Sequence, residues 1–252
     1  MRVNLTKGVI TVGSWTLLSR ILGMVREILL STFIGAGPLL DAFVAAFRLP
    51  NIFRRFFAEG AFNAAFVPLF AKRYESKMEP NEFANNVFVN LLTILLILTS
   101  IAMIFMPGLV FLTAAGFAPD ERFDLTVEFG RVMFPYILLI SLAALFSGIL
   151  NTTGRFAVAA AAPVILNIVI VAALLIAWAI NSDIIVWLVW SIPTAGILQL
   201  SLLWLATRRT GIKITLAVPK WNKDIAKLIK IAIPAALSVS YTHLTLPTNR
   251  EV

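Results

Sequence analysis

Residues 88–114 read FVNLLTILLILTSIAMIFMPGLVFLTA, 27 positions without one ionisable side chain. A hydrocarbon core about 30 Å thick needs about 20 such residues of α-helix to cross it. A helix apolar on every face has no stable place in water, so this stretch belongs in a bilayer. Working outward, five further runs fit the same reading: 9–34, 39–57 extending brokenly towards Phe70, 126–150, 157–180 and 184–206. A seventh begins near Ile225 and is interrupted after Ser240. Four of the six complete runs are cleanly apolar, whereas the first two carry charges. The expected fold is an all-α integral membrane protein, a polytopic helical bundle. The N-terminal apolar stretch is too long for a signal peptide, and no small-residue cleavage site follows it.

Composition agrees. Of 252 residues, 60% are hydrophobic and 13% charged, where soluble domains average about 45–50% and about 25%. That excludes an ordinary soluble enzyme and a disordered chain, and the absence of cysteine excludes a disulfide-stapled domain. The formal charge of +8 is mostly topology. Outside the spans, one side collects Arg2, Lys7, Lys72, Arg73, Lys77, Arg155, Arg208, Arg209, Lys213, Lys220, Lys223, Lys227 and Lys230, while the other has Arg122 and, at a span edge, Arg131. The excess of Lys and Arg on cytoplasmic loops places the N-terminus in the cytoplasm. Within the connection 207–230, Ile225, Ala226, Leu228, Ile229 and Ala232 form an apolar stripe flanked by lysines, with Trp221 beside Pro219. Two readings stay open: a basic amphipathic helix lying on the anionic leaflet, or a solvated loop leading into the next span.

The functional signal lies in 19–59, which holds Arg20, Arg26, Arg48, Arg54 and Arg55 against Glu27, Asp41 and Glu59. Arg20 follows eleven uncharged residues, about 16 Å of helix at ~1.5 Å per residue, too deep for easy snorkelling. A central intramembrane Arg costs at least ~2.5–3.5 kcal/mol on insertion scales and needs a partner, water or a ligand. Arg20 and Glu27 share one helix face, Ser19 and Arg26 another, with Gly23 between them. On the second span Asp41, Arg48 and Arg55 repeat at seven, and Pro50 is expected to kink or break the helix just before Asn51 and Arg54. Arg48 and Arg55 read equally as structural, paired with Asp41 or anchored near the span end, or as part of a functional cavity. For Arg20, Arg26 and Arg54 the acids are outnumbered, which points to a water-filled cavity with surplus positive charge. Such a cavity suits a phosphate-bearing ligand, because the planar guanidinium matches phosphate oxygens and stays charged.

Other chemistry is poorly provided for. His243 is the single histidine, so no Ser–His–Asp set exists. Gly35-Ala36-Gly37 lacks the Lys-Ser/Thr and strand context of a phosphate loop. No cofactor, metal site or enzymatic activity is expected. Asn151, Gly154, Arg155 and Pro163 read as turn residues, and the tryptophans mostly as interface anchors.

The runs SRILGMVRE (19–27) and GAGPLLDAFVAAFRLPNIFRRFFAEGAFNAAFVPLF (35–70), with FPYILLISLAALFSGILNTTGRFAVAAAAPVILNI (134–168), resemble the MurJ (MviN) family of bacterial lipid II flippases. The resemblance covers roughly 5–239. It implies one six-helix lobe of a MOP/MATE-like exporter fold plus the start of a seventh helix, in the bacterial inner membrane. It also implies the substrate: lipid II, an undecaprenyl-diphosphate-linked disaccharide-pentapeptide moved to the outer leaflet by alternating access. Partners would be lipid II, membrane lipids and cell-wall synthesis proteins, with no nucleic acid. Arg20, Arg26 and Arg54 match the family's cavity arginines, and Ser19, Asp41, Asn51, Arg55 and Glu59 match neighbouring cavity or gating positions. Glu27 stands where Asp is common. The alternatives are an exporter of another undecaprenyl-linked glycan, a MATE-like antiporter, or a scaffold that does not transport. A cavity net positive in charge argues against a cationic drug as cargo.

Family members are about twice this long, with a second lobe carrying a further cavity arginine. The expected organisation is therefore a transmembrane lobe over 1–206, a basic connection with the start of a seventh helix over 207–239, and a tail over 240–252. That tail, SYTHLTLPTNREV, breaks the apolar pattern at Tyr241 and resembles an ending found on unrelated reading frames. It is expected to be non-native, with no role for His243 or Arg250.

Overall fold

In the computed structural model, residues 5–54 and 61–244 are described. They form ten α-helices and no strand. The helices are α1 (Leu5–Phe33), α2 (Pro38–Arg54), α3 (Ala61–Ser76), α4 (Pro80–Ile104), α5 (Met106–Thr113), α6 (Arg122–Met133), α7 (Tyr136–Thr152), α8 (Phe156–Ala179), α9 (Ile184–Arg208) and α10 (Lys223–Leu244). By length and composition four segments can cross a membrane: α4, the continuous α6–α7 unit, α8 and α9. They correspond to the four cleanly apolar runs. The charged first runs form α1 and the α2–α3 pair. Pro50 lies inside α2 without ending it, since the helix continues to Arg54. The seventh helix passes Ser240 and reaches Leu244, beyond the interruption expected at Tyr241. No Gly or Pro stands between those positions, and the first Pro beyond them is Pro247.

α8 is the central post, packing on both α1 and α9, and α9 packs in turn on α7. α2 leans on α6 and α7, while α3 lies between α7 and α10. Two small residues set these distances. A Cβ on Gly196 would stand 2.8 Å from Tyr136 Cδ2 and 2.9 Å from Leu139 Cδ1. One on Gly148 would stand 3.2 Å from both Asn63 Oδ1 and a Phe66 ring carbon. Helices in lipid gain little from apolar burial and associate by such close packing instead. On α3 the i, i+4 spacing stacks Phe62, Phe66 and Phe70 at 5.5 and 5.4 Å between centroids. Phe83 of α4 joins the stack at 5.9 Å from Phe66.

The connection after α9 is a mostly exposed, non-helical segment that leads into α10. Residues 212–222 are not helical, yet Ile212 is buried in the bundle's own core, as are Ile225 and Leu228 of α10. Four of the five stripe residues, Ile225, Leu228, Ile229 and Ala232, pack against protein, whereas Ala226, Lys223, Lys227 and Lys230 are exposed. Polar ties fasten the same segment. Arg155 Nη2 donates to the Arg209 carbonyl at 2.9 Å, the Thr215 amide donates to Asn85 Oδ1 at 2.6 Å, and Asn90 Nδ2 donates to the Lys220 carbonyl at 3.2 Å. Arg73 pairs with Asp224 at 2.7 Å. Gly154, at φ 78°, closes α7 with a left-handed turn, in keeping with its reading as a turn residue.

Candidate functional site

α1 packs on α8 and α2 packs on α6, and between α1 and α2 lies a cavity of about 570 Å³. Its charged and polar wall is Arg26 and Glu27 of α1 with Arg48 and Asn51 of α2. Apolar side chains complete it, among them Phe43, Phe47 and Ile170. The seven-residue step from Asp41 to Arg48 spans about 10 Å of helix at ~1.5 Å per residue, and the two do not pair. Asp41 instead meets Arg122 at 3.4 Å. Arg48 is exposed and has no ion-pair or hydrogen-bond partner among the described residues, which leaves its charge to the cavity.

Arg26 is the most constrained of the group, its side chain 23% exposed. Nε donates to Glu27 Oε1 at 3.2 Å, Nη2 bonds the same oxygen, and Nη1 donates to Asn167 Oδ1 of α8 at 3.1 Å. Asn167 Nδ2 then donates to the Ser19 carbonyl at 3.0 Å and to Ser19 Oγ at 3.3 Å. Ser19 and Arg26, placed on one face by their spacing, are thus joined through a third helix. On the other side of Arg26 a second cavity of about 290 Å³ is lined by Ser19, Asn63, Tyr136, Ser147, Asn167 and Gln199, along with apolar neighbours. A buried relay supports that wall: Tyr136 Oη donates to Gln199 Oε1 at 3.2 Å, and Gln199 Nε2 donates to the Ala162 carbonyl at 2.7 Å.

The expected site residues therefore separate. Arg26 and Asn51 share the larger cavity, and Ser19 lines the smaller one. Arg20 is exposed, lines neither cavity and has no partner among the described residues. Asp41 stands apart with Arg122, whose guanidinium also bonds Asp120 through Nε and Nη2 and lies 4.5 Å from the Phe117 ring centroid. Those hydrogen bonds hold the Asp120 carboxyl below the usual carboxylate range. Arg54 ends α2 with its side chain outside the described residues, and Arg55 and Glu59 lie outside them altogether. Sequence reasoning missed Asn167, although it is the one amide in the apolar run 157–180. A polar side chain at such depth is a functional candidate in its own right.

Helices in this order, with four segments long and apolar enough to cross a membrane, define an all-helical, multi-pass membrane protein. The fold is shared with an outward-facing MATE family transporter of the MOP superfamily, which is 19% identical with a TM-score of 0.70 over 94% of this chain and 53% of that one. A solved lipid II flippase MurJ in an inward closed conformation matches with a TM-score of 0.74 and 27% identity, over 91% of this chain and 47% of its own. The sequence profile of the lipid II flippase MurJ family matches residues 30–252, and the chain belongs to that family. A probable lipid II flippase MurJ of Rhizobium tropici is 45% identical over 99% of this chain and 48% of its own length. The lipid II flippase MurJ of Burkholderia cenocepacia is 34% identical over 99% and 50%. The chain spans about half the length of the curated relatives it matches.

Proposed function

We propose that this chain forms the first lobe of a flippase that carries lipid II from the inner to the outer leaflet of the bacterial cytoplasmic membrane. Two lobes would close alternately around the cargo. The observation that carries the reading is the cavity between α1 and α2, whose lining holds two guanidinium groups, Arg26 and Arg48, against the single carboxylate of Glu27. A lipid diphosphate supplies the missing negative charge, and its oxygens suit the forked donors of arginine. Phe43, Phe47 and Leu30 offer apolar surface beside the charges, as a phosphate attached to a prenyl chain requires. With the connections rich in Lys and Arg in the cytoplasm, the N-terminus is cytoplasmic too. Membrane potential is a sufficient driver, since moving one unit charge through the field yields about 2.3 kcal/mol per 100 mV.

The test joins this lobe to the second half of the Rhizobium tropici relative in cells depleted of their own flippase. Lipid II reaching the outer leaflet is then measured. Arg26→Ala and Arg48→Ala should each abolish translocation, and retained transport in both overturns the site assignment; Arg20→Ala and Arg54→Ala test the two remaining arginines that the family resemblance picks out. Competition by an O-antigen-type undecaprenyl-linked glycan separates lipid II from a related cargo. Recruitment of cell-wall synthesis proteins belongs to the same proposal, and neutralising the cytoplasmic loops tests it separately from the arginines.

A further inference from the structure

Arg26 is the side chain shared by both cavities, and of its two partners only one is fixed. Glu27 is its sequence neighbour on α1, with a side chain 63% exposed to the cavity. Such a carboxylate can swing away at little cost. Asn167 is different: it is only 7% exposed, it comes from the middle of α8, and its side-chain hydrogen bonds among the described residues all reach α1. Its Oδ1 accepts from Arg26 Nη1, while its Nδ2 is anchored on the Ser19 carbonyl and hydroxyl one to two turns earlier. Turning the amide over would lose the contacts to Arg26 Nη1 and the Ser19 carbonyl, because O and N would exchange places and only the Ser19 hydroxyl can serve either atom.

We infer that Asn167 is a positioning residue for diphosphate binding: it pins one arm of Arg26 so that Nε and Nη2 can exchange the Glu27 carboxylate for phosphate oxygens without the guanidinium leaving the cavity. The inference rests on the proposed diphosphate-binding reading of Arg26. A neutral amide suits this role better than an acid, because it holds the guanidinium by one hydrogen bond without neutralising the charge the ligand needs. The two partners of Arg26 thus divide their work. Asn167 sets direction, and Glu27 covers the charge until the ligand arrives.

The experiment uses the whole 252-residue chain in phosphatidylcholine nanodiscs, with undecaprenyl diphosphate as the probe and equilibrium binding as the readout. Arg26→Ala weakens binding, and Asn167→Ala weakens it about tenfold. The deciding measurement is the double variant. A residue acting only through Arg26 adds nothing in the Arg26→Ala background, whereas a merely structural role loses affinity equally in both backgrounds. Asn167→Asp is the second variant, close in size and therefore tolerated by the packing. It retains the acceptor but adds a competing charge, so it should weaken binding at least as much as Asn167→Ala, again only while Arg26 is present. Unchanged affinity in Asn167→Ala and Asn167→Asp, with Arg26→Ala still impaired, overturns the positioning role and leaves the diphosphate reading standing. Additive losses overturn it as well. Failure of the unmodified chain to bind the probe, with no difference in Arg26→Ala, overturns the diphosphate reading and the inference with it.

Discussion

Gly196→Ala adds one methyl where α9 meets α7, and the structure allows its cost to be worked out. The new Cβ would stand 2.8 Å from Tyr136 Cδ2, 2.9 Å from Leu139 Cδ1 and 3.1 Å from Leu139 Cβ, distances at which something must move. Leu139 is partly exposed and can rotate. Tyr136 has less freedom: its side chain is 1% exposed, its hydroxyl is bonded to Gln199, and its ring lies against Phe47 at 6.5 Å between centroids. Overpacking of a filled core costs about 1–3 kcal/mol. Against it stands the helix preference of Ala over Gly, about 0.8–1.0 kcal/mol in water. Because two neighbours must yield and one is held at both ends, the clash belongs in the upper part of its range, about 2–3 kcal/mol, and the net destabilisation should be about 1–2 kcal/mol. Gly196→Val, with two further methyl groups, should exceed that clearly. Unfolding in mixed micelles on titration with SDS, followed by tryptophan fluorescence, measures the difference. Leu139→Ala in the Gly196→Ala background should recover part of the loss. A Gly196→Ala protein as stable as its parent, or more so, would refute the close approach of the two helices.

Four further outcomes follow from the same geometry. Asp224→Ala, which breaks a half-exposed pair with Arg73, should cost less than about 1 kcal/mol of global stability. It should nevertheless speed amide exchange in the first turn of α10, and unchanged exchange there counts against the tie. In Arg122→Gln the Asp120 carboxyl loses the donors that hold it low, so its titration, followed by carboxyl NMR, should move up towards the ordinary range. Because that carboxyl titrates low, the Asp120–Arg122 link persists above the unfolded-state value and is lost only as pH falls through the folded one. Glu27→Gln removes the carboxylate that covers Arg26 and should tighten undecaprenyl diphosphate binding severalfold, an effect absent in Arg26→Ala. Arg48→Gln should weaken the same binding about tenfold, about 1.4 kcal/mol, whereas Asp41→Asn, remote from the cavity and paired with Arg122, should leave it unchanged.

The span pattern was legible because bilayer thickness constrains it directly, and the four predominantly apolar runs reappear as the four crossing segments. Ion pairing was not. Heptad spacing put Asp41 and Arg48 on one face of a helix, but a shared face separated by two turns is not a contact, and Arg122 came from a distant part of the chain to take the acid. Long-range partners of this kind leave no trace in local periodicity. Lysine spacing likewise left a membrane-surface helix open for 207–230, because the sequence does not reveal that α10 packs on α3 and α4 with Ile225 and Leu228 in the bundle's core. Asn167 was visible as an isolated amide, yet only the packing of α8 on α1 gives it Arg26 and Ser19 as partners.

On the proposed reading, the placement of Glu27 explains how an arginine can be kept inside a membrane for the sake of binding. A guanidinium left bare in a low-dielectric cavity would be costly whenever the site is empty, while one locked in a buried ion pair would have nothing to offer a ligand. Arg26 avoids both extremes because its counter-ion is adjacent in sequence and largely exposed, so the pair forms and opens without moving a helix. The carboxylate engages Nε and Nη2, two donors that point the same way and match two oxygens of a phosphate group. Exchange of one anion for the other keeps the number of charged contacts nearly constant. Binding energy then depends on what else the cavity supplies, and Arg48, unpaired among the described residues and on the facing helix, supplies charge that Glu27 cannot also cover. On the proposed reading, a mono-anionic headgroup would replace Glu27 and leave Arg48 unsatisfied, whereas a diphosphate has charge for both, and the selectivity of the cavity comes from that second arginine.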